Sequence, residues 1–241
     1  SYPVLWDWSV SHLDEFWEDI ALFFNVIFHH PYQRVFEAST QGFIGSKWFE
    51  GATLNYAEHI FRQSTIDRPA LLFQEENKPV QVISWKELEV MVKSLQEYLI
   101  GQGIQQGDRV VAVLKNSPAS IALFLAVNSI GAIWSCCSPD FGATSISERF
   151  AQVTPKLLFA DAAYTYNGKW FDLKDSMIDL ASNLESLVGD VIFVGEQIWE
   201  DIISQDTGLP LQFTAVPFDH PIWILYSSGT TGKPKAITHS C

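Results

Sequence analysis

The chain has 241 residues, is 47% hydrophobic and 14% aromatic, and carries a formal net charge of -13. That length and apolar content suit one large domain, or one domain plus an extension, and exclude a disordered chain. The acidic balance disfavours a general nucleic-acid binder, which needs a basic face, so an anionic ligand would have to meet a local positive patch. The three cysteines, Cys136, Cys137 and Cys241, form neither a disulfide framework nor a zinc spacing, which points to a reducing, cytoplasmic setting. The opening residues lack the pattern of a signal peptide, and no apolar run reaches membrane-spanning length. The sequence starts without an initiator Met, and an amino-terminal fragment is the expectation.

In chain order, Ser11 and Asp14 predict a capping box, followed by a helix with Leu13, Phe16, Trp17, Ile20, Phe24 and Ile27 on one face. His29-His30-Pro31 should end it, and these histidines are read as a helix end, not as metal ligands. Residues 1–65 read as a helical extension with loops, including a short helix from Leu54 to Arg62. From 66 to 241 the pattern changes. Ala70–Gln74 and Val80–Ile83 predict two strands around a turn. Ser84 and Glu87 predict a second capping box, opening a helix with Leu88, Met91, Val92, Leu95 and Leu99 on one face. Arg109–Lys115, Ile133–Cys137, Leu157–Asp161, Val191–Val194 and Ile222–Ser227 predict buried strands. Ala119–Ile130, Ser145–Val153, Leu173–Leu187 and Ile198–Ser204 predict helices between them, and Asn167-Gly168 is a hairpin signal. Helices alternating with strands that are apolar on both faces predict an α/β fold with a doubly wound, largely parallel sheet.

Behind the last strand stands Tyr226-Ser-Ser-Gly-Thr-Thr-Gly-Lys-Pro-Lys235. Gly229 and Gly232 let the backbone approach a ligand, four hydroxyls and the loop amides can converge on an anion, and Lys233 and Lys235 add charge. The string is not a Walker A loop: two residues, not four, separate its glycines, and Pro234 follows Lys233. Gly101-Gln-Gly103-Ile-Gln-Gln-Gly107 is not a dinucleotide fingerprint either, because it is one residue too long and follows a helix. It reads as a helix stop and a turn. The alternative for the Tyr226–Lys235 string is a Gly/Ser/Thr linker, which its place behind a buried strand disfavours.

The same ten residues resemble the phosphate loop of the adenylate-forming superfamily, with Ala236 where most members have Gly. Trp48-Phe-Glu-Gly-Ala-Thr-Leu-Asn-Tyr56 and the amino-terminal helix with Phe16-Trp17 resemble the acetyl-CoA synthetase branch. Gly131–Gly142 and Tyr164–Lys169 look most like its acetoacetate-activating members; acetyl- and propionyl-activating relatives carry a Gly-Gly segment at Ser138–Asp140. The resemblance covers essentially the whole chain and implies several hundred further residues.

It also implies ATP, Mg2+, coenzyme A and acetoacetate as reaction partners, with no nucleic acid and no membrane insertion. Ser227, Ser228, Gly229, Thr230, Thr231, Gly232 and Lys233 would bind the ATP phosphates, with Lys235 as a catalytic charge clamp. Ser138, Pro139, Asp140 and Lys169 would bind coenzyme A; Lys169 could equally be a solvated hairpin lysine, and Tyr166 replaces a second Arg of some relatives. Two alternatives stay open: a ligase for another short-chain acid, and a non-catalytic nucleotide-binding module.

Overall fold

The computed structural model describes residues 1–40, 42–205, 208–227 and 234–241, with the backbone alone at Phe43 and Ile44. The chain divides into two compact units. The first comprises residues 1–55, 215–220 and 240–241, and the second residues 56–214 and 221–239.

The first unit opens with α1 (Tyr2–Ser11) and α2 (Leu13–Phe23). The expected cap at Ser11 is not formed. Ser11 is the last residue of α1, and its hydroxyl donates to the Asp7 carbonyl at 2.5 Å, so His12 flanks α2 instead. The extension does not stay helical. β1 (Arg34–Ser39) and β2 (Gly42–Glu50) form an antiparallel hairpin with Phe36 opposite Trp48, their rings 4.5 Å apart. β3 (Thr53–Leu54) completes this run. Val35, Phe49, Ala52 and Ala21 make a small buried core.

The second unit begins with α3 (Tyr56–Phe61) and the hairpin β4 (Leu71–Phe73) and β5 (Gln81–Ile83). The capping box at Ser84 is present: its hydroxyl accepts the Glu87 amide at 3.2 Å, and the Glu87 carboxylate accepts the Ser84 amide at 2.7 Å. It opens α4 (Trp85–Gly101), which buries Leu88, Val92, Leu95 and Leu99 as its spacing requires. Gly103 and Gly107 then take φ values of 74° and 82°, a helix stop and a turn rather than a nucleotide loop.

Then come β6 (Arg109–Val113), α5 (Pro118–Ser129), β7 (Ile133–Cys137), α6 (Ala143–Phe150) and β8 (Leu157–Asp161). The hairpin β9 (Ala163–Tyr166) and β10 (Lys169–Asp172) follows, then α7 (Lys174–Ser182), β11 (Ile192–Val194) and α8 (Gln197–Ile203). β12 (Val216–Pro217) returns to the first unit and pairs with β3. β13 (Pro221–Ser227) and β14 (Lys235–Ser240) end the chain.

Among the described residues the main sheet has six strands in the order β11-β8-β6-β7-β13-β14. The pairs β11/β8, β8/β6, β6/β7 and β7/β13 are all parallel. The pleat sends alternate residues to opposite faces. Val110 and Ala112 pack with α4 and α5 residues such as Leu95 and Leu123, whereas Val111 and Val113 pack with Ile146 and Phe150 of α6 and Met177 of α7. Both faces are therefore covered, which explains why these strands read as continuous apolar runs.

Three further elements differ from expectation. Helix α2 ends at Phe23, short of the His29-His30-Pro31 stop, so Phe24 and Ile27 lie beyond it. The helix expected through Leu187 ends at Ser182, because Ser182 and Asn183 turn their side chains onto the Asp179 carbonyl at 2.8 and 2.7 Å. Leu184 is still buried, which is why its spacing looked helical. The chain from Lys235, expected as a loop exit, is strand β14. All six of its residues are exposed, so it left no apolar signature.

Candidate functional site

Two successive crossovers place the site. From β6 the chain passes through α5 to β7, and from β7 it passes through α6 to β8 on the other side of β6. Helices α5 and α6 pack on opposite faces of the sheet. The loops leaving β6 and β7 therefore diverge, opening a crevice at the carboxyl ends of these strands, where doubly wound folds take their ligands. β13 runs parallel beside β7, with Trp223 opposite Trp134, and its carboxyl end is Ser227. The start of the phosphate-loop sequence thus lies on the ligand edge of the sheet. Ser228, Gly229, Thr230, Thr231, Gly232 and Lys233 fall outside the described residues.

Both ends of that segment are held by named contacts. On the entry side, the Ser135 hydroxyl in β7 donates to the Ile224 carbonyl at 2.8 Å and lies 3.3 Å from the Tyr226 hydroxyl. Burial pushes the Tyr226 phenol up to about 12. On the exit side, Pro234 is buried, and its carbonyl accepts from Gln152 Nε2 at 3.1 Å. Lys235 follows as the first, exposed residue of β14.

Ser138, Pro139 and Asp140 leave β7 beside this edge, Ser138 and Asp140 exposed and Pro139 buried. Phe141 comes next, and the Arg149 guanidinium lies over its ring at 4.7 Å from the centroid. The same guanidinium lies 5.9 Å from the centroid of Tyr226. Arg149 is 9% exposed, donates to the Ser145 carbonyl at 2.7 Å and has no hydrogen-bond partner at Nε among the described residues. One buried cation therefore touches both the Ser138–Phe141 loop and the residue that opens the phosphate-loop string. Lys169 lies on a different element, the exposed strand β10 of the hairpin, opposite Tyr166.

Sequence reasoning missed Arg149, Gln152 and the structural part of Tyr226. Arg149 had a readable signal: it occupies an apolar face with Ile146, Phe150 and Val153, all buried. A cation there must find rings or carbonyls. Cys136 and Cys137 lie in β7, the first partly and the second wholly covered, and removal from water pushes both thiols up to about 12. Burial thus disfavours the thiolate form at both positions.

A sequence profile of AMP-binding enzymes matches residues 58–241. The chain belongs to the AMP-binding enzyme family. A second profile, the acetyl-coenzyme A synthetase N-terminus, matches residues 2–60 of this AMP-binding family member. An acetoacetyl-coenzyme A synthetase of Rhizobium meliloti (strain 1021) is 38% identical over 250 residues, covering 99% of this chain and 38% of the relative. An acetoacetyl-CoA synthetase of Macaca fascicularis is 34% identical over 258 residues, covering 100% of this chain and 38% of the relative. Among solved structures, the acetoacetyl-CoA synthetase from Streptomyces lividans superimposes with a TM-score of 0.92 at 41% identity, over 100% of this chain and 38% of that one. The chain thus spans about 38% of the length of the curated relatives it matches.

Proposed function

We propose that the whole protein is an ATP-dependent acid–CoA ligase that activates acetoacetate. The carrying observation is the end of β13: Ser227 stands beside β7 at the ligand edge of the sheet and leads into Ser-Gly-Thr-Thr-Gly-Lys. Coverage of the whole chain by acetoacetyl-CoA synthetases supports the acid.

The first step joins an acetoacetate carboxylate oxygen to the α-phosphorus of ATP. The bond to the β-phosphate breaks, and pyrophosphate leaves with the electron pair. In the second step the sulfur of coenzyme A bonds to the acyl carbon, the carbon–oxygen bond to AMP breaks, and the thiol proton goes to solvent. A free carboxylate is a poor acyl donor, and the mixed anhydride supplies the leaving group.

The chain's own task is positioning and charge neutralisation. Ser227, Ser228, Gly229, Thr230, Thr231, Gly232 and Lys233 would hold the β- and γ-phosphates, and Lys235 would clamp their charge. Hydroxyl, amide and ammonium donors suit phosphate oxygens and not a bare cation, so Mg2+ would arrive with the triphosphate. Ser138, Pro139 and Asp140 would face coenzyme A from the loop after β7, and Lys169 would take one of its phosphates.

The test is product stoichiometry with the full-length protein. One AMP and one pyrophosphate for each acetoacetyl-CoA formed are expected. Release of ADP and phosphate, or no thioester at all, would overturn the proposal.

A further inference from the structure

Glu75 and Glu76, in the turn between β4 and β5, take no part in the chemistry above. They form a brace around a different element. Glu75 pairs with Lys78 in its own turn and with Lys115, two residues beyond the end of β6. The Lys115 amide in turn donates to the Asp161 carboxylate, at the end of β8, at 2.7 Å. This chain of contacts ties the β4–β5 turn to the carboxyl edge of the sheet. Glu76 then reaches the tip of the β9–β10 hairpin. One of its oxygens accepts the Asn167 amide at 2.8 Å and the other accepts the Gly168 amide at 3.0 Å. Those two amides hold its carboxyl below the usual carboxylate range.

The hairpin needs such a tie. Its two strands pair only with each other among the described residues, and Tyr166 and Trp170 stand 68% and 66% exposed. An isolated two-stranded hairpin is marginal in water. Asn167 and Gly168 take φ values of 50° and 71°, as a tight two-residue turn requires. In such a turn both central amides point away from the ladder and are free to donate. At its root the hairpin is held by the Leu173 amide on the Ala162 carbonyl at 2.9 Å. Root and tip are therefore both fixed, and Lys169 is the first residue past the tip.

We infer that Glu76 is a positioning residue for the coenzyme step: by holding the Asn167–Gly168 tip it sets the place of the Lys169 ammonium. This rests on the reading of Lys169 as a coenzyme A contact. On the same reading adenylation would use no group on the hairpin, so the effect should belong to thioester formation alone.

The test uses the full-length enzyme with Glu76→Ala, Glu76→Gln, Lys169→Ala and the double variant Glu76→Ala/Lys169→Ala. Acid-dependent ATP–pyrophosphate exchange, the KM for coenzyme A and amide hydrogen exchange over residues 163–172 are measured for each. Glu76→Ala should raise the KM for coenzyme A about three- to tenfold, leave pyrophosphate exchange within about twofold, and speed amide exchange at the tip. Glu76→Gln, which keeps the shape, should fall between. The double variant should be no worse than Lys169→Ala, because both changes remove one contact. An unchanged KM in Glu76→Ala, additive penalties in the double variant, or equal losses in both half-reactions would each overturn the inference. If Lys169→Ala itself leaves the KM unchanged, the coenzyme reading of Lys169 falls and takes the inference with it. Loss of pyrophosphate exchange in the wild type would instead remove the ligase.

Discussion

Gln152 Nε2 donates to the Pro234 carbonyl at 3.1 Å, tying the turn that closes α6 to the exit of the phosphate-loop sequence. A hydrogen bond of this kind contributes about 0.5–1.5 kcal/mol net. Gln152→Ala in the full-length protein should therefore slow adenylation by about two- to tenfold. Thioester formation from supplied acetoacetyl-AMP should be unchanged. Single-turnover rates of the two half-reactions check this, and an equal loss in both would deny Gln152 a role specific to the loop.

Under the proposed function, Lys235 would bear on the same half-reaction more directly. It stands at the start of β14, past the segment that would hold the β- and γ-phosphates. In the proposed reaction those phosphates would leave as pyrophosphate before coenzyme A reacts. Loss of one charge-assisted hydrogen bond in Lys235→Ala should slow adenylation by about ten- to a hundredfold, and thioester formation by less than about threefold. The same pair of rates decides it. Similar losses in both steps would mean that Lys235 supports the fold.

Arg149 should matter through its shape as well as its charge. Its guanidinium lies over Phe141 and Tyr226, and an ammonium cannot stack as a plane between two rings. Arg149→Lys should lower stability by about 1 kcal/mol, seen as a lower denaturant midpoint with an unchanged slope. An unaltered midpoint would show that the ring contacts contribute nothing.

Alkaline pH should weaken the fold. Burial holds Cys136, Cys137 and Tyr226 neutral to about 12, whereas their ordinary values are 9.0, 9.0 and 10.0. Between those limits the unfolded chain has released protons that the native state keeps, so unfolding is favoured as pH rises. Each such group lowers stability by about 1.4 kcal/mol per pH unit in that window. Urea midpoints measured from pH 8 upward should fall, and they should fall less steeply in Cys137→Ala. For the same reason, a thiol with a value near 12 is about one part in ten thousand thiolate at pH 8, so alkylating reagents should spare Cys136 and Cys137 in the native protein.

The central sheet was legible because burial on both faces writes itself into the sequence. β6, β7 and β8 read as apolar runs, and α4 announced itself by the Ser84–Glu87 box and a spaced apolar face. The hairpin β9–β10 was legible from Asn167-Gly168 alone. What stayed hidden depends on partners distant in sequence or on exposed strands. β14 buries none of its six residues, and β1–β2 owes its pairing to Phe36 against Trp48, which no local period reveals. At the site, the motif offered candidate phosphate-binding residues by resemblance, six of them outside the described residues. The contacts that hold its two ends, Ser135 on Ile224 and Gln152 on Pro234, join residues 89 and 82 apart and carry no motif.

Acid-dependent ATP–pyrophosphate exchange by the full-length protein, run without coenzyme A over a panel of short acids, tests the proposed ligase most directly. Exchange requires reversible formation of the acyl-adenylate and nothing later. Acetoacetate should support it, with acetate, propionate and butyrate at least about tenfold poorer in kcat/KM, a discrimination that one or two lost polar contacts can supply. Exchange with another acid in place of acetoacetate would keep the ligase and contradict the substrate. No exchange with any acid, alongside tight ATP binding, would contradict catalysis and leave a nucleotide-binding module.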